Sequence, residues 1–258
     1  ADAENSSPVR GAERLHLGRA LCIITGASRG FGRTISTIDI LISTRETQLC
    51  LYASSSRTLE SCSACVPYVA TDLGLAEGLE QVTKAAQEAA SDLIQHVLLV
   101  NNAGSLGDTS RFAMSFTEMA EVNSYLSLNV SSFLCLTAQI PSPGQRRTII
   151  NISSLCALKP FSSWVLYCSG KAAREMMFRV LAEEEPDLRV LNYSPVGKTA
   201  AHVHQAASVF GDALLRKSFN EMFTQGQLLS CEESCNKLMK LLMEDSYTSG
   251  AHVDFYDI

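Results

Sequence analysis

Residues 20–35 read ALCIITGASRGFGRTI, and their order decides the fold. An apolar run ending at Thr25 suits a strand covered on both faces. Gly26, Gly30 and Gly32 then allow a tight turn and close backbone approach to a pyrophosphate. The residues that follow suit a helix whose unpaired N–H groups and positive dipole end face that turn. Strand, glycine turn and helix together predict the first unit of a dinucleotide-binding sheet. A purely structural turn would use the same glycines, so the remainder of the chain has to decide between the two.

Working outward, further apolar runs recur at QLCLYA (48–53), VPYVA (66–70), HVLLV (96–100), RTIINI (147–152), LRVLNY (188–193) and AHVDFY (251–256). They alternate with helix-compatible segments at 30–43, 75–91, 116–138, 164–184, 206–217 and 231–243. Such alternation predicts a three-layer α/β/α Rossmann fold with a seven-stranded, mostly parallel sheet. Residues 1–18 read as a polar leader and 19–258 as a single domain. Two places break the pattern. The crossover SSSRTLESCSAC (54–65) is short for a parallel connection, and Asp39 interrupts the apolar face of the first helix.

The chain has 258 residues, 46% of them hydrophobic, and a formal charge of −6. That balance offers no attraction for nucleic acid or an anionic membrane and favours a small-molecule partner. No apolar run is long enough to span a bilayer, and the leader lacks the apolar core of a signal peptide. Nine cysteines, several inside strand-like runs, suit reduced thiols in a cytoplasmic protein. The pair Cys62 and Cys65, and the pair His202 and His204, lack completing ligands, so no metal site is expected. The sequons at Asn129, Asn151 and Asn192 fall inside expected core elements.

Chemistry concentrates in YCSGK (167–171), with Ser154 thirteen residues upstream in NISSLCALKPF. Tyr167 and Lys171 lie one helical turn apart on one face. An ammonium beside a phenol eases loss of the phenolic proton, which suits the pair to protonate a carbonyl oxygen during reduction. Ser154 adds a hydroxyl to hold that oxygen, with Ser153 the neighbouring alternative. At the end of the second strand, Ala53, Ser54, Ser55 and Ser56 precede Arg57, with no acid before Glu60. A carboxylate there would select NAD. Its absence, with Arg57 and Arg29 suited to a phosphate, favours NADP.

Taken together, TGASRGFG (25–32), NNAG (101–104), Asn129, Ser154, and Tyr167 with Lys171 resemble the short-chain dehydrogenase/reductase family. More narrowly, NNAGSLGD, NISSLCAL, VLYCSGKAAR, RVLNY and SGAHVDFYD resemble the branch that reduces side-chain ketones of pterins. The resemblance implies an NADPH cofactor, a homodimer and a cytosolic place in tetrahydrobiopterin synthesis. It implies a cofactor cradle of Gly26, Ala27, Ser28, Arg29, Gly30, Phe31 and Gly32, with Ser55 and Arg57 near the ribose. Asp72 and Leu73 would flank the adenine, Asn101 and Ala103 would line the cofactor's path, and Thr199 and Lys171 would also touch the cofactor. Catalysis would fall to Ser154, Tyr167, Lys171 and Asn129, the last holding a water in a proton relay. Substrate would meet Ser154, Leu155, Trp164 and Tyr167, with Cys156 and Leu106 as further candidates for the apolar wall. Asp254 would accept two hydrogen bonds from the pterin fork.

The loop SPVGKTAAH (194–202) departs from the family, which has glycine where Val196 stands. Gly197 offers compensation by a shift of register. The GKT at 197–199 is not a phosphate loop, because Asn192 occupies the place of its first glycine. These departures leave open two alternatives: a carbonyl reductase with other substrates, and a non-catalytic dinucleotide-binding or interaction protein.

Overall fold

The computed structural model describes residues 19–37, 49–54, 68–140, 146–195, 208–227 and 229–258. The strands are β1 (Ala20–Thr25), β2 (Leu49–Ser54), β3 (Tyr68–Ala70), β4 (His96–Asn101), β5 (Arg146–Ile152), β6 (Leu188–Ser194) and β7 (His252–Asp254). They form one parallel sheet in the order β3-β2-β1-β4-β5-β6-β7. The helices are α1 (Gly30–Thr37), α2 (Ala76–Ala89), α3 (Met119–Leu126), α4 (Ser132–Gln139), α5 (Val165–Glu184), α6 (Ala213–Thr224) and α7 (Cys231–Glu244). A π-turn at Ser127–Ser131 joins α3 to α4.

Strand side chains alternate between two buried faces, which is why the runs read as continuously apolar. Cys22, Ile24, Leu98, Val100, Ile150, Leu191 and Tyr193 pack with Ile35 of α1 and Leu238, Met239 and Leu242 of α7. Leu21, Ile23, Val97, Leu99, Ile149 and Val190 pack on the other side with Val82 of α2, Phe133 and Leu136 of α4 and Phe178 of α5. The result is the expected α/β/α sandwich. Strand order reverses direction between β1 and β4, and ligands of such sheets bind at that switch, beyond the strand C-termini.

Local chemistry sets the helix ends. Ser230 and Glu233 form a capping box that starts α7, an arrangement worth about 1 kcal/mol. The helix expected over 206–217 instead runs from Ala213 to Thr224. Asp212 caps it by accepting from the Leu215 N–H at 2.8 Å. Just before it, the Gly211 N–H donates to the Thr109 carbonyl at 2.8 Å. A Cβ on Gly211 would stand 2.4 Å from the Ser110 carbonyl oxygen, so this residue is held as a turn. Outside the described residues lie Asp39, Cys62, Cys65, His202 and His204, most of the short crossover, and the loop bearing Val196 and Gly197.

Candidate active site

The C-terminal ends of β1 and β4 are clasped through one threonine. The Thr25 hydroxyl accepts from the N–H groups of Asn102 (2.9 Å) and Ala103 (3.0 Å) and donates to the Val100 carbonyl (3.2 Å). The Asn102 side-chain amide donates back to the Thr25 and Gly26 carbonyls at 2.9 and 3.1 Å. Such close packing leaves no room for side chains at Gly26 and Gly32. A Cβ on Gly26 would meet the Ala103 Cα at 2.8 Å, and one on Gly32 would meet the Gly26 carbonyl oxygen at 2.4 Å. Gly26 and Gly30 hold left-handed φ values of 68° and 57°, which glycine adopts without the usual penalty. Open space surrounds Gly30, where an added Cβ meets nothing within 4 Å. An open cradle in front of the α1 N-terminus fits a dinucleotide pyrophosphate.

The second half of the site gathers at the end of β5 and the start of α5. Ser163 turns the chain with φ 64°, a left-handed conformation that costs about 1–2 kcal/mol for a non-glycine residue. That turn delivers Trp164 into a cluster with Tyr167, Cys156 and Phe210, flanked by Leu106, Phe161 and Phe219. The Trp164 ring meets Tyr167 edge-on at 5.7 Å and Phe210 at 4.9 Å. Tyr167 is 8% exposed, and Lys171 Nζ stands 5.6 Å from its ring centre. Lys171 donates to the Ile152 carbonyl at 2.5 Å, so its charge is held against the end of β5. Ser154, half-buried, accepts from the Cys156 N–H at 3.2 Å.

Asn129 sits buried in the π-turn. Its amide nitrogen donates to the Tyr125 carbonyl (2.9 Å) and its oxygen accepts from the Ser105 N–H (2.8 Å). It thereby satisfies a helix carbonyl and ties the segment after β4 to the bulge, a feature frequent at functional sites. Burial, and after it the neighbouring Tyr167, raise the Tyr125 phenol above its ordinary range. It stays neutral and donates to the Ser105 carbonyl at 3.1 Å.

A model of the short chain dehydrogenase family matches residues 20–205. The chain belongs to the short-chain dehydrogenase family. It is therefore an oxidoreductase, and its cofactor is a nicotinamide dinucleotide. Sepiapterin reductase of Bos taurus is 44% identical to it over 256 residues, covering 93% of this chain and 96% of that protein. Sepiapterin reductase of Rattus norvegicus is 42% identical over 258 residues, covering 94% and 98%. Among solved structures, the enzyme KRED1-Pglu superposes with a TM-score of 0.75 at 24% identity, covering 91% of this chain and all of that one.

Within this short-chain dehydrogenase several side chains expected near the cofactor are directed into the core. Ala27 and Phe31 point into the core, Phe31 stacking on Tyr193 at 6.2 Å, so only their backbone faces the cradle. Leu73 likewise is buried under the sheet, while exposed Asp72 accepts from the Gly74 N–H at 2.8 Å. The Asn101 side chain turns inward to Thr137 (3.3 Å) because strand alternation aims it at the helix layer. Asn102 and Ala103 meet the glycine turn instead. Ser153, the neighbouring alternative to Ser154, directs its hydroxyl to the Glu175 carboxylate at 2.5 Å. Ser28 and exposed Arg29 lie on the turn, and Leu155 is exposed beside the aromatic cluster. Ser55, Arg57 and Thr199 lie outside the described residues. Asp254 stands at the same sheet edge, accepting from the Ser194 hydroxyl (2.7 Å) and the Tyr256 N–H (3.2 Å).

Arg174 and Glu175 escaped the sequence reading. Arg174, 1% exposed, donates to Asn151 Oδ1 (2.9 Å) and to the carbonyls of Asn101 (2.5 Å) and Ala103 (3.2 Å). Its guanidinium also lies 3.8 Å from the Phe133 ring centre, and burial lowers its pKa to about 10. Their spacing from Lys171, three and four residues on, is the signal that both share its face of the helix.

Proposed function

We propose that this chain is an NADPH-dependent reductase of the side-chain ketone of a pterin, of the sepiapterin or 6-pyruvoyl-tetrahydropterin type, in tetrahydrobiopterin synthesis. The observation that carries the reading is Tyr167 seated in an aromatic cluster that includes Cys156, with Lys171 Nζ near its ring and Ser154 bonded to the Cys156 N–H. The extent of identity to bovine sepiapterin reductase supports the pterin substrate. Gly26, Ser28, Arg29, Gly30 and Gly32 would hold the dinucleotide, with Ala103 and Lys171 further along it. Exposed Arg29, and the lack of an acid between Ser54 and Glu60, favour the 2′-phosphate of NADP. Bound there, the cofactor supplies a hydride.

The side chains do the rest. Tyr167 donates the proton as general acid. Because the Cys156 N–H occupies a lone pair of Ser154 Oγ, the serine O–H is left to donate to the substrate oxygen. Asn129 retains a second oxygen lone pair for a water on the way to Lys171. Trp164 and Phe210 keep bulk water from the reacting carbonyl. Asp254 already accepts from the Ser194 hydroxyl and from the Tyr256 and Asp257 N–H groups, and a carboxylate offers about four acceptor positions in all, so taking both a pterin amino group and a ring N–H would displace one of these turn contacts.

The chain would act as a cytoplasmic homodimer. Leu134 on α4 with Met176 and Val180 on α5 are 54%, 56% and 44% exposed, an apolar face that suits pairing. Among the described residues no helix is long and apolar enough to cross a membrane. Unpaired thiols at Cys135, Cys168 and Cys235 suit a reducing compartment.

The contacts of Asp254 with Ser194 and Tyr256 also favour a second reading, a carbonyl reductase without a pterin anchor. Oxidation of NADPH with sepiapterin and with a small diketone tests both. Tyr167→Phe is expected to lower kcat by about 10²–10⁴ with dinucleotide affinity by calorimetry unchanged. Asp254→Ala should impair sepiapterin turnover and spare the diketone. A wild-type chain that binds NADPH but leaves sepiapterin unreduced overturns the pterin reading, and equal loss on both substrates in Asp254→Ala removes the anchor.

A further inference from the structure

We propose that Glu175 is a positioning residue, whose carboxylate fixes the two arms of the active site by holding Ser153 with one oxygen and His252 with the other. The proposal rests on the reading of this site as that of a pterin ketone reductase. Glu175 is 4% exposed and sits one turn beyond Lys171 on α5. Its Oε2 accepts from Ser153 Oγ at 2.5 Å, and its Oε1 stands 3.1 Å from His252 Nδ1. Ser153 is joined directly to Ser154, the residue assigned to the substrate oxygen. His252 lies two residues before Asp254 on β7, so both side chains leave the same face of that strand.

The carboxylate therefore reaches from β5 to β7 across the end of β6. The Ser153 N–H reinforces the first arm by donating to the Tyr193 carbonyl at 2.7 Å. His252 Nε2 is buried with no hydrogen-bond partner among the described residues, so the ring is held through Glu175. A buried carboxylate is expensive to desolvate, and an apolar side chain of like volume often packs there at no loss of stability. Retaining a charge that bonds to both arms is a means of fixing geometry. The titratable groups facing His252 are Glu175 from α5, Asp254 on its own strand and Asp257 from the turn that follows. Lys171 and Arg174, on the same helix as Glu175, are directed to the Ile152 carbonyl and to Asn151.

The test compares wild type with Glu175→Gln and Glu175→Asp. It measures kcat and KM for sepiapterin and for a small diketone, NADPH affinity by calorimetry, melting temperature, and the His252 ring titration by NMR. Displaced geometry should lower kcat by about 10- to 100-fold on both substrates in Glu175→Gln. KM should rise for sepiapterin alone, since only that substrate uses Asp254. Glu175→Asp should recover part of each loss, NADPH affinity should hold, and His252 should titrate at lower pH in Glu175→Gln. Unchanged kcat and KM despite a shifted His252 titration would overturn the proposal. So would a loss of activity that merely tracks falling NADPH affinity and melting temperature. If wild type itself reduces neither substrate, the functional reading falls and takes this proposal with it, whereas an active wild type with silent variants removes this proposal alone.

Discussion

Two histidines face opposite electrostatic surroundings, and their protonation acts on stability in opposite directions. His96 lies buried in β4 with Nε2 2.9 Å from Thr148 Oγ1. Burial, then the Arg146 charge, lowers its pKa from 6.5 to about 4. Above pH 6.5 the ring is neutral folded or unfolded and contributes no pH dependence. Between 6.5 and 4 the unfolded chain binds a proton that the folded chain refuses, so stability falls as pH falls. At pH 5 that loss is on the order of 2 kcal/mol. Chemical denaturation of His96→Gln should therefore show a smaller loss between pH 7 and 5 than wild type. His252 is raised above 6.5, first by its hydrogen bond with Glu175. Its contribution is fully present below pH 6.5 and is lost as pH rises through the folded-state value. The stability gap between wild type and His252→Asn should accordingly be wider at pH 6 than at pH 9.

The glycine turn between β1 and α1 shows how one element can meet two separate demands. At Gly32 the constraint is contact, since a Cβ there lands 2.4 Å from the Gly26 carbonyl oxygen and 2.3 Å from Asn102 Nδ2. Gly32→Ala should cost about 1–3 kcal/mol in thermal denaturation and weaken dinucleotide binding with it. At Gly30 the constraint is backbone angle alone, so Gly30→Ala should cost about 1–2 kcal/mol without a clash. Its methyl group would instead occupy the open cradle. This turn, the strands and the Tyr167–Lys171 face were legible in the sequence because each depends on local pattern and spacing. The start of α6 was not, because Gly211 is pinned to Thr109 from far earlier in the chain and the Asp212 cap starts the helix only after that pin. Nor were Arg174 and Glu175, whose charges read as a solvated helix face until β5 and β7 are folded against them. Asn101 and Asn102 are indistinguishable as text, and only the pleat of β4 decides which of them meets Gly26.

At the level of the whole molecule, the parallel sheet sets all its chemistry along one edge. Thr25, Asn101, Ile152, Ser194 and Asp254 end their strands there, while the apolar face of α4 and α5 lies elsewhere and remains available for a second copy. Met176→Glu with Val180→Glu should convert the proposed dimer to a monomer in sedimentation experiments, with melting behaviour showing whether each subunit stays folded. A wild-type chain sedimenting as a monomer would remove the dimer. The aromatic cluster over Tyr167 carries one last consequence. Trp164 is the chain's single tryptophan, and its indole nitrogen is buried without a hydrogen-bond partner among the described residues. The intrinsic emission of this protein should thus come from that aromatic cluster, the proposed reaction chamber, at the short wavelengths of a dry indole. A ligand entering that chamber should quench or shift nearly all of it, which gives the chain a built-in optical gauge of its own occupancy.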